Sequence, residues 1–289
     1  MIMLGLGAQR SFKDTEDDVH PELEEIIAQT RVMRQKSYLY DMTAPGEHQV
    51  WLETPMGEIC CHVRVRVAIR PQAPLLLFHH GFAEVPYTLT WSRILPKKEP
   101  LPAHTAAVQA PFHNRIGEAV NTGFTSVAHI YQMFAGSLRL FELLQELFEE
   151  SGAAYTVASG YSWGGITSLL YEALFASARA TVPLFASPNL AQVMAHIVAL
   201  SGHPLPVSRA MLDEYFDFTP SYNNCEVERV FPVLGQDDQF FELGDHAPIF
   251  APSSVIVVPE THVGAFMLRQ KLRRHLLEVL AWAADHPRC

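Results

Sequence analysis

YTVASGYSWGGI, at residues 155–166, contains the strongest indication of the fold. A β-prone run leads into a Gly-x-Ser-x-Gly motif formed by Gly160, Ser162 and Gly164, and helical periodicity follows. A serine on such a turn has a strained backbone that leaves no room for Cβ atoms two residues before or after it, and glycine has none. The stretch therefore predicts a strand, a sharp turn and a helix, with the Ser162 hydroxyl exposed and the Trp163 N–H free at the helix N-terminus.

Strands and helices are predicted to alternate on both sides of this unit. The run at residues 74–82 begins with continuous apolar residues, as is typical of a strand covered on both faces. Further strands are predicted at 105–110, 180–186, 230–235 and 253–258, and helices at 126–150, 167–176 and 267–284. This alternation predicts the α/β class, with a mostly parallel central sheet and helices on both faces.

The N-terminal part has a different pattern. Residues 1–20 are interpreted as a loose arm, and a helix is predicted to open near Leu23 with Ile26 and Ile27 on its inner face. Three alternating runs, at 37–42, 49–53 and 59–69, predict antiparallel strands. In the third run Cys61, Val63, Val65 and Val67 alternate with Cys60, His62, Arg64 and Arg66, so one face of it is expected to meet water.

Residues 190–227 do not fit the strand pattern. They are rich in methionine and aromatic residues and are broken by three prolines. We interpret them as a small helical insertion, or lid, over the C-terminal edge of the sheet; the alternative is an ordinary crossover helix with long loops. Apart from this insertion the chain, residues 1–289, is expected to form a single domain.

Composition excludes several classes of protein. The 289-residue chain has a net charge of −10, which argues against nucleic acid and against anionic membranes as partners. Four cysteines without a Cys-x-x-Cys spacing predict reduced thiols, a cytoplasmic location and no metal site. No apolar run approaches the roughly 18 residues of a membrane span.

Three polar residue types follow predicted strands in one order along the chain. They are Ser162, an aspartate at 237 or 238, and His262. Sites in open α/β sheets lie at the carboxyl ends of the strands. A serine hydroxyl needs an imidazole to take its proton, and the imidazole needs a carboxylate to fix its tautomer. Adjacent residues leaving a strand point to different sides, so only one of the two aspartates should reach His262.

Four motifs resemble the α/β-hydrolase superfamily. They are His80-Gly81-Phe82, Gly160-Tyr161-Ser162-Trp163-Gly164-Gly165, Gly235-Gln236-Asp237-Asp238 and His262-Val263-Gly264. The Ser-x-Gly-Gly and Gly-x-x-Asp forms are similar to the branch of dienelactone-hydrolase-like esterases and prolyl-oligopeptidase-like peptidases. The chain departs from both: the dienelactone enzymes use a cysteine nucleophile, and the oligopeptidases carry a propeller for which this chain has no room.

The resemblance implies an α/β-hydrolase fold and a Ser162–Asp238–His262 catalytic triad. Asp238 is preferred to Asp237 because the family places the acid three residues after the glycine that ends the strand. It also implies an oxyanion hole made by the backbone N–H groups of Phe82 and Trp163. His80, His113 and Tyr161 are candidate residues of the substrate pocket, and no metal and no cofactor is expected.

Two classes of function remain open at this stage. The first is a serine hydrolase that cleaves a carboxylic ester through an acyl-enzyme, or alternatively an amide or small peptide. The second is a catalytically silent hydrolase-fold protein that binds a ligand. An intact order of triad residues favours the first class, and reaction with a fluorophosphonate would separate the two.

Overall fold

A nine-stranded mixed sheet forms the centre of the protein. The computed structural model describes residues 11–14 and 22–288, so the predicted arm at residues 1–20 lies largely outside the described residues. The strand order is β1-β2-β3-β5-β4-β6-β7-β8-β9. The strands are β1 Arg31–Val32, β2 Gly46–Thr54, β3 Gly57–Arg66, β4 Leu75–His79, β5 His104–Val108, β6 Thr156–Tyr161, β7 Ala180–Leu184, β8 Val233–Gly235 and β9 Ile256–Val258.

The parallel part of the sheet runs from β5 through β4, β6, β7 and β8 to β9. Every residue of β4, β5, β6 and β7 is buried, as expected for strands that are covered on both faces. The three N-terminal strands pair antiparallel, and β3 joins them to β5. The predicted mostly parallel sheet with N-terminal antiparallel strands is confirmed.

Helices cover both faces of the sheet. The helices are α1 Leu23–Gln29, α2 Leu89–Ile94, α3 Val127–Glu150, α4 Trp163–Phe175, α5 Leu190–Ser201, α6 Arg209–Phe216, α7 Thr219–Tyr222, α8 Leu243–His246 and α9 Arg269–Asp285. Side chains of α1, α3, α4, α5 and α6 form the core on one face, and those of α2 and α9 form the core on the other. A site at the strand ends is therefore held between two packed layers.

The 24-residue helix α3 illustrates how the sequence pattern becomes packing. Its Ser126 cap accepts a hydrogen bond from the His129 N–H, which pairs one of the free amides of the first turn. The apolar residues that recur at helical spacing along it are all buried; they are Val127, Ile130, Phe134, Leu138, Phe141, Leu144 and Phe148.

Two predictions about the N-terminal strands are wrong. Residues 37–42 contain the 3₁₀ turn Leu39–Asp41 instead of a strand, because the chain bonds locally there: the Met42 N–H donates to Leu39 and the Ala44 N–H to Asp41. The place beside β2 is taken by β1. Val67, assigned to the buried face, is 42% exposed because β3 ends at Arg66. The buried alternation of Ile59, Cys61, Val63 and Val65 is confirmed.

The last two strands are shorter than predicted. Only Val233–Gly235 is strand in the run at 230–235, because Pro232 has no N–H to donate to the ladder. Val230 still forms an isolated bridge with Thr181 of β7. The strand β9 covers residues 256–258 of the predicted 253–258.

Residues 190–227 contain α5, α6 and α7 between β7 and β8. The structure describes them as helices that pack on α3 and α4, while their action as a lid stays a prediction. Of the described helices, none is long and apolar enough to cross a membrane. Cys60, Cys61 and Cys225 are free thiols, Cys289 lies outside the described residues, and the cytoplasmic location stays a prediction.

Candidate active site

Ser162 lies on the turn between β6 and α4, with φ 54° and ψ −117°. A non-glycine residue in this region is strained, so the surrounding structure must hold it. A Cβ at Gly160 would lie 2.1 Å from the Gly164 carbonyl oxygen, and one at Gly164 would lie 2.2 Å from the His79 carbonyl oxygen. A Cβ at Gly165 would lie 2.4 Å from Ala186. Each glycine is therefore required by close packing, which presents Ser162, partly exposed, at the carboxyl end of the strands.

Ser162, His262 and Asp238 form a chain of hydrogen bonds. The Ser162 Oγ lies 2.9 Å from His262 Nε2, and His262 Nδ1 lies 2.7 Å from Asp238 Oδ2. Asp238 is 3% and His262 8% exposed. Because a buried carboxylate accepts from Nδ1, the Nε2 lone pair is directed at the serine hydroxyl.

The loop after β8 holds the aspartate. Asp238 Oδ1 accepts the N–H groups of Phe240, at 2.9 Å, and Phe241, at 3.1 Å, so both carboxylate oxygens are paired. Asp237 is exposed, and its N–H donates to the Glu260 carbonyl. The structure therefore brings Asp238 to His262 and leaves Asp237 in solvent.

The imidazole of His262 is enclosed by aromatic rings. The Phe241 ring stacks on it with the ring centroids 5.5 Å apart, and the Phe240 ring meets it edge-on with the centroids 5.0 Å apart. The Tyr161 hydroxyl donates to the His262 carbonyl. Tyr161 is 4% exposed, so a buried side chain holds the histidine backbone.

Two backbone N–H groups belong to the chain segments around Ser162. Trp163 is the first residue of α4, where an N–H has no partner inside the helix. The chain after β4 passes over the serine: a Cβ on Gly81 would lie 3.7 Å from the Ser162 Cβ. Among the described residues no acceptor binds the N–H of Phe82, the next residue.

His80 and His113 are buried, each 1% exposed, and both imidazoles are used by backbone groups. His80 Nδ1 donates to the Gly81 carbonyl and its Nε2 accepts the Ala110 N–H. His113 Nδ1 donates to Pro111, and its Nε2 accepts the Ala83 N–H at 3.0 Å. Burial lowers the pKa of His80 well below its usual range and that of His113 to about 4, so both are neutral at neutral pH. A role for these two histidines and Tyr161 in binding substrate stays a prediction.

His79 is the packing residue at the end of β4. It is fully buried, its Nε2 lies 2.9 Å from the Ser137 hydroxyl, and burial lowers its pKa to about 3. The three rings are in contact: the His79 and His80 ring centroids lie 4.8 Å apart, and those of His80 and His113 lie 4.7 Å apart.

Two groups near the site were not predicted from the sequence. Glu84 accepts three hydrogen bonds from the chain after β4. The recognised motif ended at Phe82, two residues earlier, so it gave no indication of this carboxylate. Ser187, after β7, is hydrogen-bonded to Nδ1 of His246 in α8, and both side chains are fully buried. The position of Ser187 after a strand was a usable signal, whereas nothing in the sequence pairs it with His246.

One cluster of potential metal ligands occurs in the described part of the chain. A ring nitrogen of His196 and carboxylate oxygens of Glu242 and Asp245 lie within 4.8 Å of one another. The Gln192 amide N–H₂ lies 3.0 Å from His196 Nε2 and donates to Asp245 at 2.9 Å. Hydrogen bonds from Gln192 therefore already join His196 and Asp245.

Several solved structures similar to this chain are esterases. The Pyrococcus furiosus esterase Pf2001 has a TM-score of 0.56 at 12% identity, covering 83% of this chain and 93% of that one. Est1E from Butyrivibrio proteoclasticus has a TM-score of 0.53 at 13% identity, covering 77% and 96%. This chain has the α/β-hydrolase fold. A carboxyl esterase from Bacillus coagulans shares that fold, with a TM-score of 0.51 at 11% identity over 81% and 99% of the two chains.

The likeness is confined to the fold. No protein-family model matches the sequence, and no curated protein matches it. An α/β-hydrolase fold hosts many chemistries, so the activity has to be argued from the residues of the site.

Proposed function

We propose that this α/β-hydrolase-fold protein is a serine hydrolase that cleaves carboxylic esters through an acyl-enzyme. The observation that carries the proposal is the continuous chain of hydrogen bonds from Ser162 through His262 to Asp238. A serine hydroxyl is a weak nucleophile at neutral pH until a base accepts its proton.

In the first half-reaction His262 Nε2 takes the proton as Ser162 Oγ bonds to the ester carbonyl carbon. Asp238 stabilises the imidazolium that forms, and two backbone hydrogen bonds to its Oδ1 keep its carboxylate oriented. The imidazolium then gives its proton to the leaving alcohol as the C–O bond to that alcohol breaks, which leaves an acyl-serine.

In the second half-reaction water replaces the alcohol. His262 takes a proton from the water, the water oxygen bonds to the acyl carbon, and the proton returns to Ser162 Oγ as the acid departs. The N–H groups of Phe82 and Trp163 stabilise the negative oxygen in both tetrahedral intermediates; loss of one such donor costs roughly 3–4 kcal/mol.

The substrate side of the site favours an apolar acyl group. Phe82 and Phe124 are partly exposed, and their ring centroids lie 4.5 Å apart. The Trp163 ring centroid lies 5.9 Å from that of Phe82 and 5.6 Å from that of Phe124. The predicted lid supports the same wall, because Phe218 packs on Phe134, which stacks on Trp163. Amides and small peptides remain the alternative substrates, since the same triad cleaves both.

Labelling tests the proposal against a silent binding protein. The purified protein is treated with a fluorophosphonate, digested, and mapped by mass spectrometry, and its hydrolysis of nitrophenyl esters is measured in parallel. We expect one phosphonyl adduct on Ser162 and release of nitrophenol. An unlabelled protein that hydrolyses none of the esters would refute the proposal.

A further inference from the structure

The chain after β4 approaches Ser162 closely enough for its backbone geometry to affect the chemistry. A Cβ at Gly81 would lie 3.1 Å from the Tyr161 ring and 3.7 Å from the Ser162 Cβ. A donor works only when its N–H lies about 3 Å from the developing oxyanion, so small rotations of the peptide units at residues 81–83 would misplace it.

Glu84 holds the peptide before Phe82. Its Oε2 accepts the Gly81 N–H at 3.1 Å and the Thr90 hydroxyl at 2.6 Å, and its Oε1 accepts the Thr90 N–H at 2.7 Å. Thr90 is fully buried in the first turn of α2. The half-buried carboxylate therefore ties the end of β4 to the start of a packed helix, with charge-assisted bonds on both oxygens.

His113 holds the peptide after Phe82. Its Nε2 accepts the Ala83 N–H at 3.0 Å, while its Nδ1–H donates to the Pro111 carbonyl at 2.8 Å. Ala83 has φ 57°, a conformation that a non-glycine residue adopts only when its surroundings hold it there. The buried neutral histidine supplies that constraint from the loop after the neighbouring strand β5.

The Phe82 N–H is thus the one amide of three consecutive residues that no acceptor in the described chain binds. We propose that Glu84 and His113 are positioning residues that hold the amides on either side of Phe82, so that its N–H points at the oxyanion. The inference rests on the proposed ester hydrolysis. It gives a role to a carboxylate that binds the Gly81 amide, where a Cβ would lie 3.7 Å from the Ser162 Cβ.

The principal test is Glu84→Gln. Glutamine has the same length but one acceptor oxygen, so it cannot accept all three hydrogen bonds: in either orientation its N–H₂ group faces a backbone N–H, that of Gly81 or that of Thr90. The matched control is Glu118→Gln, because Glu118 Oε2 also accepts two backbone N–H groups, those of Asn114 and Arg115, in the loop after β5. The control changes the same kind of carboxylate in the next loop and leaves the Phe82 peptide alone.

The readout separates positioning from stability. We expect Glu84→Gln to lower kcat about 10- to 100-fold, less than removal of a donor, with KM nearly unchanged. Affinity for a trifluoromethyl ketone should fall by a similar factor, since Ser162 Oγ adds to its carbonyl carbon and leaves an oxyanion in the same place. Glu118→Gln should retain wild-type kcat and ketone affinity.

His113 gives an independent test, which decides the matter if Glu84→Gln does not fold. His113→Gln keeps an acceptor near the position of Nε2, whereas His113→Met fills the space without one. We expect the methionine variant to lose kcat and ketone affinity together, and the glutamine variant to recover much of both. Wild-type kcat in Glu84→Gln, or equal losses in the two His113 variants, would overturn the inference. A wild-type protein without esterase activity would instead refute the proposed function.

Discussion

Two serine–histidine pairs lie at the carboxyl edge of the sheet. Each pair is joined by a hydrogen bond, but the pairs differ in the exposure of the serine and in the other partner of the histidine. Ser162 is partly exposed on a strained turn, and its histidine is held by the buried Asp238. Ser187 is fully buried, and its partner His246 has a buried Nε2 with no hydrogen-bond partner in the described structure.

The difference lies in what surrounds each pair. Burial lowers the pKa of His246 to about 4, and no carboxylate is hydrogen-bonded to it in the described chain to stabilise its charged form. A substrate could not reach Ser187 without unpacking the core. Contact between a serine and a histidine is therefore insufficient for nucleophilic catalysis; access, an orienting carboxylate and free backbone donors complete the Ser162 site.

The sharpest test of this comparison removes each serine in turn. Ser162→Ala should lower kcat by roughly 10⁵-fold or more and abolish fluorophosphonate labelling, because no other nucleophile is in place. Ser187→Ala should keep labelling and most of kcat. Labelling kinetics and nitrophenyl ester hydrolysis measure both, and persistent labelling of Ser162→Ala would reverse the assignment of the two pairs.

A second substitution removes the carboxylate that only one pair has. Asp238→Asn should lower kcat by about 10⁴-fold, since an amide in that place no longer stabilises the imidazolium or selects the useful tautomer. Asp237→Asn is the control, because this neighbour is exposed, and it should retain most activity. Steady-state kinetics of the two variants would show the opposite order if Asp237 were the acid.

The buried pair should reveal itself through stability instead. The folded-state pKa of His246, about 4, lies below the ordinary value near 6.5, so between these values the unfolded chain binds more protons. Stability should therefore fall on acidification below pH 6.5, by about 1.4 kcal/mol per pH unit from this residue. Urea unfolding at pH 7 and pH 5 measures it: His246→Asn should lose less stability than the wild type across that interval, and an equal loss would contradict the assignment.

The smallest effect concerns access, which only the Ser162 pair has. Two added methylene groups that reach the apolar wall at Phe82 and Phe124 are worth about 1.6 kcal/mol, so kcat/KM should rise about 15-fold from a nitrophenyl acetate to a butyrate. Phe124→Ala should reduce that ratio. Equal or better activity on highly charged acyl groups would exclude an apolar wall as the basis of selectivity.

Much of the fold was readable from local patterns. Strands β4 to β7 are buried throughout, and the long helix α3 has strong helical periodicity; their positions were predicted within a few residues. The run at 37–42 has alternating residues as well, yet it turns, because β1 occupies the edge beside β2. Edge pairing depends on which segment reaches the sheet, and short alternating runs do not encode that competition.

The sequence by itself determined the turn at Ser162, because only glycine fits at 160 and 164: a Cβ there would lie 2.1 and 2.2 Å from backbone carbonyl oxygens. It also determined the chain order of Ser162, Asp238 and His262. Only the tertiary structure decided that Asp238 and not Asp237 bonds to His262, and that His113 and Glu84 hold the chain around Phe82. Some of these contacts join residues far apart in sequence, and the others depend on the direction of one side chain. Packing sets both after the strands have assembled.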